Sequence, residues 1–230
     1  MKKIKLAAST NPPLASELFR YIEILDNSEV DCIHCDVMDG KFVDNLELSY
    51  QTVKEIARST HKPLDIHLMV NEISRYAVWK YTRLRPRIID LHYEAFKNKN
   101  RLKKLLLLIN KKGVKAGLTI NPETKAQDVK EFLPYVSHVL VMSVHPGLSG
   151  QKMITSCVGK IDELKALATE FGLDDMTYEI DGGVSLSNIS NVIKAGYDMA
   201  VSGKALYDAE NKNAFIDAFT SGKKLPSQNK

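Results

Sequence analysis

Three short segments carry side chains that can hold a metal ion and move protons. Ile33-His34-Cys35-Asp36-Val37-Met38-Asp39-Gly40 and Asp65-Ile66-His67-Leu68-Met69 each set a histidine and an aspartate two residues apart. Tyr178-Glu179-Ile180-Asp181-Gly182-Gly183 ends a third apolar run in an aspartate. In an extended strand, residues two apart share a face. His34, Asp36 and Met38 then oppose Ile33, Cys35 and Val37. Asp65, His67 and Met69 oppose Leu64, Ile66 and Leu68. If the three strands converge on one mouth, His34, Asp36, His67 and Asp181 form a set of two imidazoles and two carboxylates. Such a set suits one divalent ion, whether Zn, Mn, Fe or Co. Asp36 and Asp181 can also work as a catalytic acid/base pair, provided their environments separate their proton affinities.

Glycines form a second group. Pro146-Gly147-Leu148-Ser149-Gly150 follows one apolar run, Gly182-Gly183 the next, and Gly203-Lys204 the last. Glycine lets backbone N–H groups approach an anion, and a helix opening at Lys204 would add its dipole. Three such turns at one mouth point to a phosphate cradle. Met38, Met69 and Met142 each fall at a strand end, where they would line the site with soft apolar surface. His92 and Glu94 close another run, and His92 is expected as a hydrogen-bonded interior residue. His145 is a further candidate for the rim.

Positioning these groups takes a particular set of elements. Eight apolar runs rich in β-branched residues occur at Ile4–Ala8, Cys32–Val37, Leu64–Met69, Ile88–His92, Ala116–Ile120, Val139–Val144, Thr177–Ile180 and Met199–Ser202. Amphipathic stretches separate them. Leu14, Leu18, Ile22 and Leu25 recur at helical spacing, as do Val158, Ile161, Leu164, Leu167 and Phe171. Ser187 to Ala195 stops at Gly196, and the stretch from 101 to 112 stops at Gly113. Alternation of this kind gives parallel strands joined by crossover helices. Eight units in 230 residues predict a single α/β domain, a (β/α)8 TIM barrel over residues 1–222 with a polar tail at 223–230. An open doubly wound sheet would carry a glycine-rich loop after its first strand, and residues 8–14 contain no glycine.

Composition narrows the function classes. The chain has 32 basic and 28 acidic residues, net +4, without a basic stripe for nucleic acid. No segment approaches the ~18 apolar residues of a membrane span, and Met1–Ala8 lacks the apolar stretch of a secretory signal. Cys32, Cys35 and Cys157 make an odd count, against a disulfide framework. Cys32 and Cys35 lie three apart in a strand, so their thiols diverge. A cytoplasmic protein is expected.

With these blocks assembled, the chain resembles the ribulose-phosphate 3-epimerase family. The resemblance rests on Ile33–Gly40 with Lys41-Phe42-Val43, Asp65–Met69, Asn121-Pro122-Glu123-Thr124, Val141 through Gly147 to Gln151, and Glu179–Gly183. It implies a metal-dependent enzyme that inverts C3 of a ketose phosphate. The metal-binding positions then match His34, Asp36, His67 and Asp181, with Asp36 and Asp181 moving the proton. Ser9, Gly147–Gly150, Gly182-Gly183 and Gly203-Lys204 match substrate and phosphate contacts, and His67, Met38, Met69 and Met142 are expected to touch the substrate as well. Several positions depart from the family pattern. Lys41 stands for the usual His, Asp44 for Pro, His145 for Asn, Leu148-Ser149 for Phe-Gly and Lys204 for Ser, and Asn11-Pro12-Pro13 alters the block after the first strand. No departure removes a ligand. The substrate implied is ribulose 5-phosphate or a related hexulose 6-phosphate, with a homo-oligomer expected. Two other readings are a barrel decarboxylase, which would need a lysine two residues after Asp36 where Met38 stands, and a catalytically silent sugar-phosphate-binding barrel.

Overall fold

The computed structural model describes residues 3–223. Eight parallel strands, β1 (Lys5–Ser9), β2 (Cys32–Met38), β3 (Leu64–Met69), β4 (Ile88–His92), β5 (Lys115–Ile120), β6 (His138–Met142), β7 (Thr177–Asp181) and β8 (Met199–Ser202), close into a barrel in chain order. Every expected strand is present, within two residues at either end. The expected tail falls, Lys223 apart, outside the described residues. Among those residues no helix is long and apolar enough to cross a membrane.

The outer layer comprises α1 (Leu18–Asp26), α2 (Tyr50–Ser59), α3 (Arg75–Thr82), α4 (Lys99–Lys111), α5 (Lys160–Glu170), α6 (Ile189–Ala195), α7 (Lys204–Tyr207) and α8 (Lys212–Ser221). Ser49, Ser74, Asn98 and Asn211 cap α2, α3, α4 and α8 by accepting first-turn N–H bonds. Gly196 ends α6 in the left-handed region.

Three expectations about helices need correction. Leu14 lies outside α1 and is 70% exposed; Pro12 and Pro13 impose bends, and the helix starts only at Leu18. Phe171 follows α5 rather than extending its buried stripe, and is exposed. Between β5 and β6 the crossover is a 3-10 segment, Ala126–Tyr135, with Pro134 inside it.

The main apolar core lies between barrel and helices. It includes Ile33, Cys35 and Val37 of β2 and Ile66 and Leu68 of β3. A second, small apolar cluster of Ala7, Cys32, Ile88, Met199 and Val201 fills the lower barrel interior. Cys32 and Cys35 thus face opposite ways, as the strand period requires.

Candidate active site

Register brings the chemistry together. Asp36 pairs laterally with His67, His34 with Asp65, Met38 with Met69, and Met142 with Asp181. Asp36, Met38, His67, Met69, Met142 and Asp181 sit in the C-terminal halves of their strands, the end at which such barrels build active sites. His34 Nε2 lies 3.3 Å from His67 Nδ1 and 3.2 Å from Asp36 Oδ1. His67 Nδ1 is 3.0 Å from the same oxygen, and Asp181 Oδ2 is 4.0 Å from His34 Nε2. One donor atom from each of the four residues falls within 4.8 Å of all the others. Bonds of about 2.0–2.2 Å to a tetrahedral ion put neighbouring donors roughly 3.4 Å apart, so the spacing and chemistry of this set fit a divalent ion.

Electrostatics differ between the two aspartates. Burial would raise the Asp36 carboxyl, but the adjacent His34 and hydrogen bonds from both histidines hold it far below the usual carboxylate range. Ser9 Oγ also donates to Asp36 Oδ2 at 2.9 Å. Burial, reinforced by the charge of Asp36, pushes Asp181 up to about 6. Burial holds His67 below its ordinary value.

Above the cluster opens a cavity of about 290 Å³. Ser9, Met38, Met69 and Met142 line its depth. The loop from Gly147 to Gly150, the Gly182-Gly183 turn and Gly203-Lys204 form one wall. Gly183 has φ +63, and a Cβ there would meet Met153 N at 2.4 Å. Only glycine fits this corner. Ser143 Oγ donates to the carbonyls of Asp181 and Gly182, holding the turn down. Asn45 Nδ2 donates to Gly147 O across the mouth, so the loops after β2 and β6 touch.

Some expected residues fall elsewhere. His34 and His67 are fully buried and lie beneath the cavity rather than on its wall. His67 is therefore placed among the candidate ligands, not among the groups lining the cavity. His145 is exposed at the rim beside Glu123, 3.5 Å away, and does not line the cavity. The helix opened by Lys204 has four residues, too short for much dipole; Lys204 Nζ instead pairs with Asp208 at 2.8 Å.

A buried polar layer lies one step below, built from groups that local sequence pattern does not single out. Asp65 Oδ2 accepts from His34 Nδ1 at 2.7 Å. Asp90, Glu179 and His138 share this layer, all fully buried. His138 Nε2 lies 2.9 Å from Glu179 Oε2 and its Nδ1 2.8 Å from Thr177 Oγ1. Burial lowers His138 to about 4 and raises Glu179 and Asp90 well above their ordinary values, Asp65 adding to both. A neutral His138 whose Nδ1–H faces Thr177 accepts at Nε2, so Glu179 is the protonated donor. Strand parity was the available signal: Asp65, Asp90 and Glu179 each precede His67, His92 and Asp181 by two residues.

The ribulose-phosphate 3 epimerase family model matches residues 5–207. The chain belongs to the ribulose-phosphate 3-epimerase family. It is 36% identical over 220 residues to the ribulose-phosphate 3-epimerase of Bacillus subtilis, covering 96% of this chain and all of that protein. The Synechocystis ribulose-phosphate 3-epimerase is 35% identical over 227 residues, covering 99% of this chain and 97% of its own. As a member of the ribulose-phosphate 3-epimerase family the chain is an isomerase, a carbohydrate epimerase. Among solved structures, a 3-hexulose-6-phosphate synthase superposes with a TM-score of 0.70 at 14% identity, over 96% of this chain and all of that one. A Mycobacterium tuberculosis tryptophan synthase gives 0.69 at 12%, over 97% and 94%. At such identities these two share the barrel alone.

Proposed function

We propose that this chain inverts C3 of a ketose phosphate, interconverting D-ribulose 5-phosphate and D-xylulose 5-phosphate, with Asp36 and Asp181 as the acid/base pair. The observation that carries this reading is the convergence of two carboxylates from strands that are not neighbours in the barrel, β2 and β7, on a common donor cluster. Inversion needs a base on one face of a flattened carbon and an acid on the other. Asp36, ionised by its histidine neighbours, and Asp181, held nearer neutrality, supply unlike partners.

His34, Asp36, His67 and Asp181 would hold one divalent ion, Zn, Mn, Fe or Co. When bound, it supplies Lewis-acid stabilisation of the charge that grows on the substrate oxygens as the proton leaves. The chain's own residues do the rest. Ser9 orients Asp36. Met38, Met69 and Met142 keep water from the reacting carbons. The backbone of Gly147–Gly150, Gly182-Gly183 and Gly203-Lys204 anchors the phosphate far from C3 and fixes the sugar's orientation.

Asp36→Asn and Asp181→Asn should each leave a folded barrel whose turnover falls by about 10²–10⁴-fold. Either variant retaining near-full activity overturns its assigned role. Turnover in D2O should place deuterium at C3 of the product, and full retention of the original proton would exclude exchange through two acids. A panel of pentulose and hexulose phosphates, assayed after metal removal and re-addition, tests substrate and metal dependence together. Preference for a hexulose 6-phosphate would reassign the substrate while keeping the chemistry.

A further inference from the structure

His67 has two ring nitrogens with different tasks. Nδ1 faces the donor cluster, 3.0 Å from Asp36 and 3.3 Å from His34. Nε2 faces away and lies 2.8 Å from Nε2 of His92. His92 Nδ1 in turn lies 3.3 Å from Glu94 Oε2. The remaining oxygen, Glu94 Oε1, accepts the backbone N–H of Asn121 at 2.8 Å and the Thr124 hydroxyl.

The hydrogen-bond roles along this chain are fixed from its outer end. An ionised carboxylate only accepts, and a neutral imidazole has one donor and one acceptor nitrogen. Glu94 therefore requires the proton on Nδ1 of His92. Nε2 of His92 is then an acceptor and requires the proton on Nε2 of His67. With Nε2 protonated, Nδ1 is the nitrogen whose lone pair an ion can take, displacing any proton that the ionised Asp36 draws to it across 3.0 Å. His34 reaches the same result by a shorter route, since Asp65 takes its Nδ1–H and leaves Nε2 free to bind.

We propose that Glu94, acting through His92, selects the His67 tautomer that can bind a divalent ion. Both are positioning residues, and neither lines the cavity. The inference rests on the metal-centre reading above, but the tautomer itself can be read without metal.

Glu94→Gln gives the decisive test. The Asn121 N–H cannot reverse its role, so the amide oxygen must stay at the Oε1 position. The NH2 group then faces His92 and donates to its Nδ1. Every proton downstream reverses, and His67 ends with its hydrogen on Nδ1. The near-isosteric Gln should thus weaken metal binding more than Glu94→Ala, which removes the constraint without inverting it. A purely structural role predicts the opposite order.

Ring 15N shifts of the metal-free protein should show a proton on Nε2 of His67 in the wild type and none there in Glu94→Gln. Zn2+ or Co2+ titration against a chromophoric chelator should show a loss of about 10–100-fold in affinity for that variant. His92→Phe, which retains a ring beside Phe42, should also weaken binding and abolish the effect of Glu94→Gln in the double variant. An unchanged His67 tautomer, or a Glu94→Gln affinity within about twofold of wild type where such losses run tenfold or more, overturns the proposal. A tautomer switch between wild type and Glu94→Gln, in a protein whose wild type binds no divalent ion, would overturn the metal-centre reading and support the relay.

Discussion

Glu179 shows how a single side chain can stabilise or destabilise the barrel according to pH. Its folded form holds a proton that the unfolded chain releases above the ordinary glutamate range, because burial and Asp65 raise its affinity. Between those two values the folded state binds more protons, so its contribution to stability is full at low pH and is lost as pH rises. Glu179→Gln keeps the shape and can still donate to His138, but it has no proton to lose. Denaturant titrations between about pH 5 and pH 8 should show the variant gaining on wild type as pH rises. Parallel curves would mean that Glu179 is ionised in the fold. The same residue scale shows what the sequence conceals. The donor set was legible because His34, Asp36 and His67 alternate with aliphatic residues on their strands. Asp90 has the same two-residue step to His92, whereas His138 opens its strand with no such partner. Only lateral register, Asp90 beside Gly117 and Gly117 beside His138, reveals them as neighbours.

Elements differ in how firmly local sequence sets them. Strands were legible because buried parallel strands are continuous β-branched runs. Helix beginnings were harder to place, since the prolines at 12 and 13 override an otherwise helical spacing. The β5–β6 crossover obeys neither pattern and is held instead by a distant side chain. Lys160, at the start of α5, donates to the carbonyls of Asn121, Pro122 and Thr124 at 2.9, 2.8 and 2.6 Å. Lys160→Met keeps the aliphatic stem and strips three acceptors of their partner. Unmet buried acceptors cost about 1–3 kcal/mol, so the melting temperature should fall. Because Thr124 also bonds Glu94, the metal affinity of this variant should fall with it. A loss of stability with wild-type metal affinity would show the two ends of the loop to be independent.

At the scale of the molecule, the barrel is sealed by contacts between the first and last elements. β1 pairs with β8, and Ile4 N–H donates to Thr220 O at the end of α8. Phe219 of α8 is fully buried and stacks on Phe215 with ring centroids 5.6 Å apart. Phe219→Ala should cost about 3–5 kcal/mol, visible in equilibrium unfolding as one cooperative shift. A separate early transition, with the remainder melting as in wild type, would make α8 an independent unit. Closure of this kind cannot be read from local pattern, because it depends on eight units adding up to a full circle. The interior so enclosed has room for Asp90 only where β5 lacks a side chain: a Cβ at Gly117 would stand 1.8 Å from Asp90 Oδ1. The two positions are therefore locked in descent. A lineage that acquires the carboxylate cannot later regain alanine on β5 without first shedding it, so kindred sequences should vary at both sites together or at neither.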